Sequence, residues 1–98
     1  MVKQSRNFRI NWTRHVRQRA VERGIELEQI YEVLLNPIET IFDREQRNYK
    51  SYGMPSNPLI KEQPYLMVVH SKFNTVVTVI TAMWKDKGGL RQHDFSKI

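Results

Sequence analysis

A histidine and two arginines follow one another at four-residue spacing: His15, Arg19 and Arg23. At about 100° per residue, side chains so spaced run along one edge of a helix. An imidazole beside guanidinium groups suits work on a phosphodiester. RNA cleavage without metal needs a base for the 2′-hydroxyl proton, an acid for the leaving oxygen and a cation for the charge that gathers on phosphorus. His15 can act as base or acid, because an unperturbed imidazole titrates near neutrality. Arg19 and Arg23 can grip phosphate through paired hydrogen bonds. Thr78 sets a hydroxyl among the valines of Val76-Val77-Thr78-Val79. The catalytic candidates are therefore His15, Arg19 and Thr78. Arg14, Arg17, Arg23, Tyr49 and Lys50 are the candidates for holding nucleic acid, the cations by charge and Tyr49 by stacking on a base.

Each candidate also has a plainer use. His15 suits a helix surface or a packed N-terminal turn. Arg19 and Arg23 can pair with Glu22, Glu26 or Glu28 and solvate the helix. Thr78 is a good strand former whatever else it does. Tyr49 and Tyr52 are separated by an odd number, so they point to opposite faces of a strand. His15, His70 and His93 show no metal-ligand spacing, and no cofactor motif is present, so neither metal nor cofactor is expected.

These side chains need a frame. Val16 and Ala20 mark the buried line of a first helix, from about Arg14 to Arg23, which Asn11 or Thr13 can cap. Gly24 suits the left-handed residue that ends such a helix, and Ile25 the apolar contact that follows. A second helix repeats Leu27, Ile30, Tyr31, Leu34 and Leu35 and stops at Asn36-Pro37. Strands then follow at Glu39–Asp43, Arg47–Tyr52, Tyr65–His70 and Val76–Trp84, with a long loop from Gly53 to Pro64. Alternation sends Val77, Val79, Thr81 and Met83 to one face of the last strand, which is apolar on both faces and so should be central. Trp12 and Trp84 read as core or rim anchors. The expectation is an α+β domain, two N-terminal helices packed on a four-stranded antiparallel sheet. One domain covers residues 1–98: an arm at 1–11 in which Phe8 and Ile10 suit a short edge strand, a core at 12–84, and a basic tail at 85–98 with a short ordered turn near Leu90 to Phe95. Leu27, Ile30, Leu34, Val68, Val77 and Val79 should share one core.

The chain has 98 residues and a net charge of +6. The charge is unevenly placed. Residues 1–25 carry seven Lys/Arg against Glu22 alone, and residues 26–45 carry six acids against Arg44 alone. Residues 46–98 carry eight bases against three acids. Basic stretches thus bracket an acidic helix, which favours an anionic partner, nucleic acid first. No cysteine is present, which excludes disulfides and thiolate chemistry. The apolar run from Thr75 to Trp84 is too short to span a membrane, and residues 1–10 lack the apolar stretch of a signal peptide. The cytoplasm is the expected location.

The pattern H-x-x-x-R-x-x-x-R-G-I, then an acidic-apolar helix ending in N-P, then V-V-T-V, resembles a small bacterial and phage family of unknown function, domain-of-unknown-function family 4258. His15, Arg19, Arg23, Gly24, Ile25, Leu34, Asn36, Pro37 and Val76–Val79 carry it, over roughly Trp12 to Met83. The family is similar in layout to the RelE and BrnT toxins of toxin–antitoxin systems, several of which cut RNA. The resemblance implies a metal-independent ribonuclease toxin that acts on RNA, in association with the ribosome, and is neutralised by an antitoxin protein. The other reading is a non-enzymatic module of phage or plasmid origin that holds nucleic acid or protein on the same basic face.

Overall fold

The computed structural model describes residues 8–98. Five strands and three helices follow in the order β1 (Arg9–Asn11), α1 (Arg14–Glu22), α2 (Leu27–Leu35), β2 (Glu39–Asp43), β3 (Asn48–Gly53), β4 (Tyr65–Phe73), β5 (Val76–Lys85) and α3 (Lys87–Arg91). The strands form one sheet in the order β1-β5-β4-β3-β2. The fold is α+β as expected, but the sheet is mixed and five-stranded, not four-stranded and antiparallel. β1 adds to β5 in parallel, Ile10 facing Val77, and so makes the one parallel pair among the described residues. Residues 1–7 of the expected arm lie outside the described residues.

The helix ends follow from their residues. Thr13 caps α1 by accepting from the Val16 amide. At the other end the Ile25 amide donates to the Ala20 carbonyl at 2.8 Å and the Gly24 amide to the Val21 carbonyl at 3.3 Å. This double closure is the helix stop that Gly24-Ile25 suggested. Gly24 has φ +64°, so the backbone calls for glycine, while a Cβ there would meet only the end of the exposed Leu59 side chain. In α2, Gln29 accepts from the Glu26 amide through Oε1 and donates through Nε2 to the carbonyls of Ser56 and Asn57. One buried amide thus starts the helix and pins the 53–64 loop.

The sheet has a core on each face. On one, Val16, Ala20, Ile25, Ile30 and Val33 from the helical hairpin pack on Leu66, Val68, Val79, Ala82 and Trp84, with Leu27 and Leu34 at the margin. On the other, Leu90 and Phe95 pack on Tyr52, Met67 and Val69. The expected tail is therefore a built part of the domain, with α3 covering the second face. The expected alternation of β5 fails at Ile80. Val69 faces Thr81 while His70 faces Val79, which leaves Ile80 without a partner in β4. Such a bulge shifts the alternation by one. It puts Ala82 and Trp84 with Val79, and Met83 on the opposite face. Val77 is buried but belongs to neither core cluster.

The buried line of α2 runs through Gln29, Ile30 and Val33, while Tyr31 is exposed and Leu34 only partly buried. Ile30→Ala should therefore cost about 2–5 kcal/mol in urea unfolding, and Leu34→Ala clearly less. Equal losses at the two sites would mean that the helix presents a different face.

Candidate nucleic-acid interface

The side of α1 away from the sheet is basic. Val16 and Ala20 are buried, while Arg14, His15, Arg17 and Arg19 are all exposed. Arg17 Nε donates to the Trp12 carbonyl at 3.4 Å. Arg19 pairs with Glu22 at 3.0 Å, with both side chains about half exposed (46% and 48%). An open pair of this kind is weak and leaves the guanidinium ready to exchange partners. Among the described residues, Arg14 and His15 have no side-chain hydrogen bond or ion pair.

Arg23 stands apart from this face. Its Nη1 donates to Thr81 Oγ1 and to the Ala82 carbonyl, both at 2.9 Å. These atoms lie beyond Thr78, where β1 no longer pairs with β5. Thr78 itself accepts from Asn11 Nδ2 at 3.4 Å, a contact that joins β1 to β5. The structure thus draws Arg23 and Thr78 into holding the sheet edge. Among the described residues no hydrogen bond joins His15 to Arg19 or to Thr78.

Tyr49 and Lys50 leave β3 on opposite faces. Lys50 Nζ lies 3.1 Å from Asp43 Oδ2 and 3.2 Å from His93 Nδ1. His93 is held below its usual range first by burial and then by Lys50 and Lys85. Hydrogen bonds from the Gln46 amide and from Lys50 keep the Asp43 carboxyl low. The lysine thus closes a local set of charges beside a cavity of about 440 Å³ that Ile41, Asp43, His93 and Asp94 help to line.

Tyr49 belongs to a group that its neighbours in sequence do not reveal. On the helix face of β2, β3 and β4 the cross-strand pairs are Thr40 with Ser51, Phe42 with Tyr49, and Tyr49 with His70. His70 Nε2 lies 2.9 Å from Ser51 Oγ, which lies 2.7 Å from Thr40 Oγ1. His70 Nδ1 is buried without a partner. A buried N–H with no acceptor is costlier than a bare ring nitrogen, so the proton belongs on Nε2 and is given to Ser51. Ser51 then donates onward to Thr40. The imidazole does not withdraw a proton from this serine, and Ser51 is 2% exposed. The chain of three fixes side chains and offers no nucleophile. Burial drives the His70 pKa down to about 4. The signal available in the sequence was a pair of facing alternations, Thr40/Phe42 and Tyr49/Ser51, near a histidine in the next strand.

Among the described residues no group of three or more His, Cys, Asp or Glu could hold a metal ion. No helix there is long and apolar enough to cross a membrane. The family model described as a domain of unknown function, DUF4258, matches residues 12–84, and the chain belongs to that family. No curated protein matches the chain.

Three outcomes follow. Folding lowers the His70 pKa from 6.5 to about 4, so the unfolded chain binds more protons between those values. The contribution of His70 is therefore complete above about pH 6.5 and lost as pH falls towards 4, a change on the order of 2–3 kcal/mol. His70→Asn should flatten the melting temperature over that window, and an unchanged slope would refute the assignment. Arg23→Ala should lower stability by about 1–3 kcal/mol, since it strands a strand-edge carbonyl. His15→Ala should leave the melting temperature within a degree or two.

Proposed function

We propose that this member of the family binds RNA through the outer face of α1, and that Arg14, His15, Arg17 and Arg19 form the contact. One observation carries the reading: four basic or titratable side chains share the exposed side of a helix whose other side is fixed to the sheet. Cations spread over the exposed side of a rigid helix suit a phosphate backbone, because each phosphate contact releases counterions. The acidic residues of α2, Glu28 and Glu32, stand on a separate helix and leave this side largely basic.

The ribonuclease reading goes one step further. It is favoured by the exposure of His15 among guanidinium groups. His15 would take the 2′-hydroxyl proton or deliver one to the leaving oxygen, and Arg19, released from Glu22, would hold the phosphate. Thr78 is engaged with Asn11 and would need to change partners to join them. Such an activity would fit a RelE- or BrnT-like toxin neutralised by an antitoxin protein. The competing reading keeps the same face as a binding module without turnover.

Binding of a short RNA should weaken in proportion on a plot of log affinity against log salt, and Arg14→Ala with Arg17→Ala should reduce the slope by about two. A slope that the double substitution leaves unaltered would remove α1 from the interface. Cleavage of RNA by the wild-type chain that His15→Ala abolishes, with binding kept, would assign the enzymatic reading. Binding without cleavage by either protein would assign the binding module.

A further inference from the structure

The helix layer stops short of one sheet edge. α1 packs on β5, and α2 on β4 and β3, while β2 gains no comparable cover. Two aromatic side chains stand in the uncovered strip. Phe42 is 51% exposed and Tyr49 37%. Their rings meet edge to face at 5.0 Å, and Tyr49 stacks on His70 at 5.7 Å and 18°. The Thr40–Ser51–His70 chain fixes the imidazole that supports Tyr49. An exposed phenylalanine in a strand costs solubility and adds nothing to either core. Here it extends a supported, uncharged aromatic step.

Charge around the step is one-sided. Lys72 lies two residues beyond His70 in β4, so alternation brings it to the same face. Arg44 lies two residues after Phe42, and Arg47 two before Tyr49, at the ends of the same hairpin turn. All three are exposed, and among the described residues none is in an ion pair. The neighbouring acid Asp43 is occupied by Lys50 and by the turn amides of Glu45 and Gln46. Glu45 is the one remaining acid of the turn.

We propose that Phe42 and Tyr49 form a stacking platform for unpaired bases of single-stranded RNA, with Arg44, Arg47 and Lys72 holding the flanking phosphates. The assignment rests on the RNA reading above and narrows it to single strands. Every base offers a π-face, so such a platform is sequence-tolerant, and it works only where bases are not already stacked in a duplex. An apolar protein side chain would satisfy the aromatic rings and leave three cations unmatched, whereas a single strand brings base and phosphate together in every nucleotide.

The test compares a short single-stranded RNA, the duplex of the same sequence and an abasic strand of equal length and charge, each titrated against the full chain. The single strand should bind about tenfold tighter than the abasic one. Phe42→Leu and Tyr49→Leu, both at exposed positions, should remove most of that advantage and leave abasic binding unchanged. Equal binding of base-bearing and abasic strands, with salt dependence intact, would overturn the platform and keep the α1 reading. Binding of no RNA at low salt would overturn both. Substitutions that disperse a dimer and leave RNA affinity unaltered would assign the patch to self-association and overturn the platform.

Discussion

Beyond Thr78, β5 loses its parallel neighbour, and the Ala82 carbonyl at that edge takes its donor from Arg23. An unpaired backbone carbonyl out of reach of water is costly, and a guanidinium that satisfies it also fixes whatever carries it. Arg23 is the last residue before the Gly24 turn, so this contact sets where α1 ends. Trp84 Nε1 reaches the Gly24 carbonyl from the same strand and sets it a second time. The outer side from Arg14 to Arg19 is steady because the far end of its helix is anchored.

The two faces of the sheet are closed by different means. The helical hairpin closes one with aliphatic side chains. The C-terminal segment closes the other with Leu90 and Phe95, and Phe95 meets Tyr52 edge to face at 4.6 Å. Its end is fastened by Glu39, which accepts from the Ser96 amide and hydroxyl and from the Lys97 amide. Burial opposes the charge on Glu39, but these donors outweigh it and hold its carboxyl below the usual range. A stretch whose composition suggests a solvated tail thus becomes the lid of a second core.

Local rules were enough to read α2, the Gly24 stop and the four main strands, because spacing and turn chemistry state them outright. The parallel strand at Arg9–Asn11 was legible only as a short extended segment. Its partner lies at the other end of the chain, and three residues cannot encode a direction. The bulge at Ile80 was hidden because Val, Ile and Thr suit either side of it. Arg23 looked like its fellow arginines, since spacing along a helix does not tell which edge meets a strand. The Thr40, Ser51 and His70 chain needed the pairing of three strands before it could be seen.

The contact between Asn11 and Thr78 joins residues 67 apart in the chain. Pairing at such separation must overcome the entropy of closing a long loop, so β1 is expected to dock late in folding. During synthesis, α1 emerges well before the strand against which Val16 and Ala20 pack. A helix that is basic outside and apolar beneath must wait for its seat until β5 has left the ribosome. The order of synthesis therefore exposes the proposed RNA-binding element well before the strand that supports it.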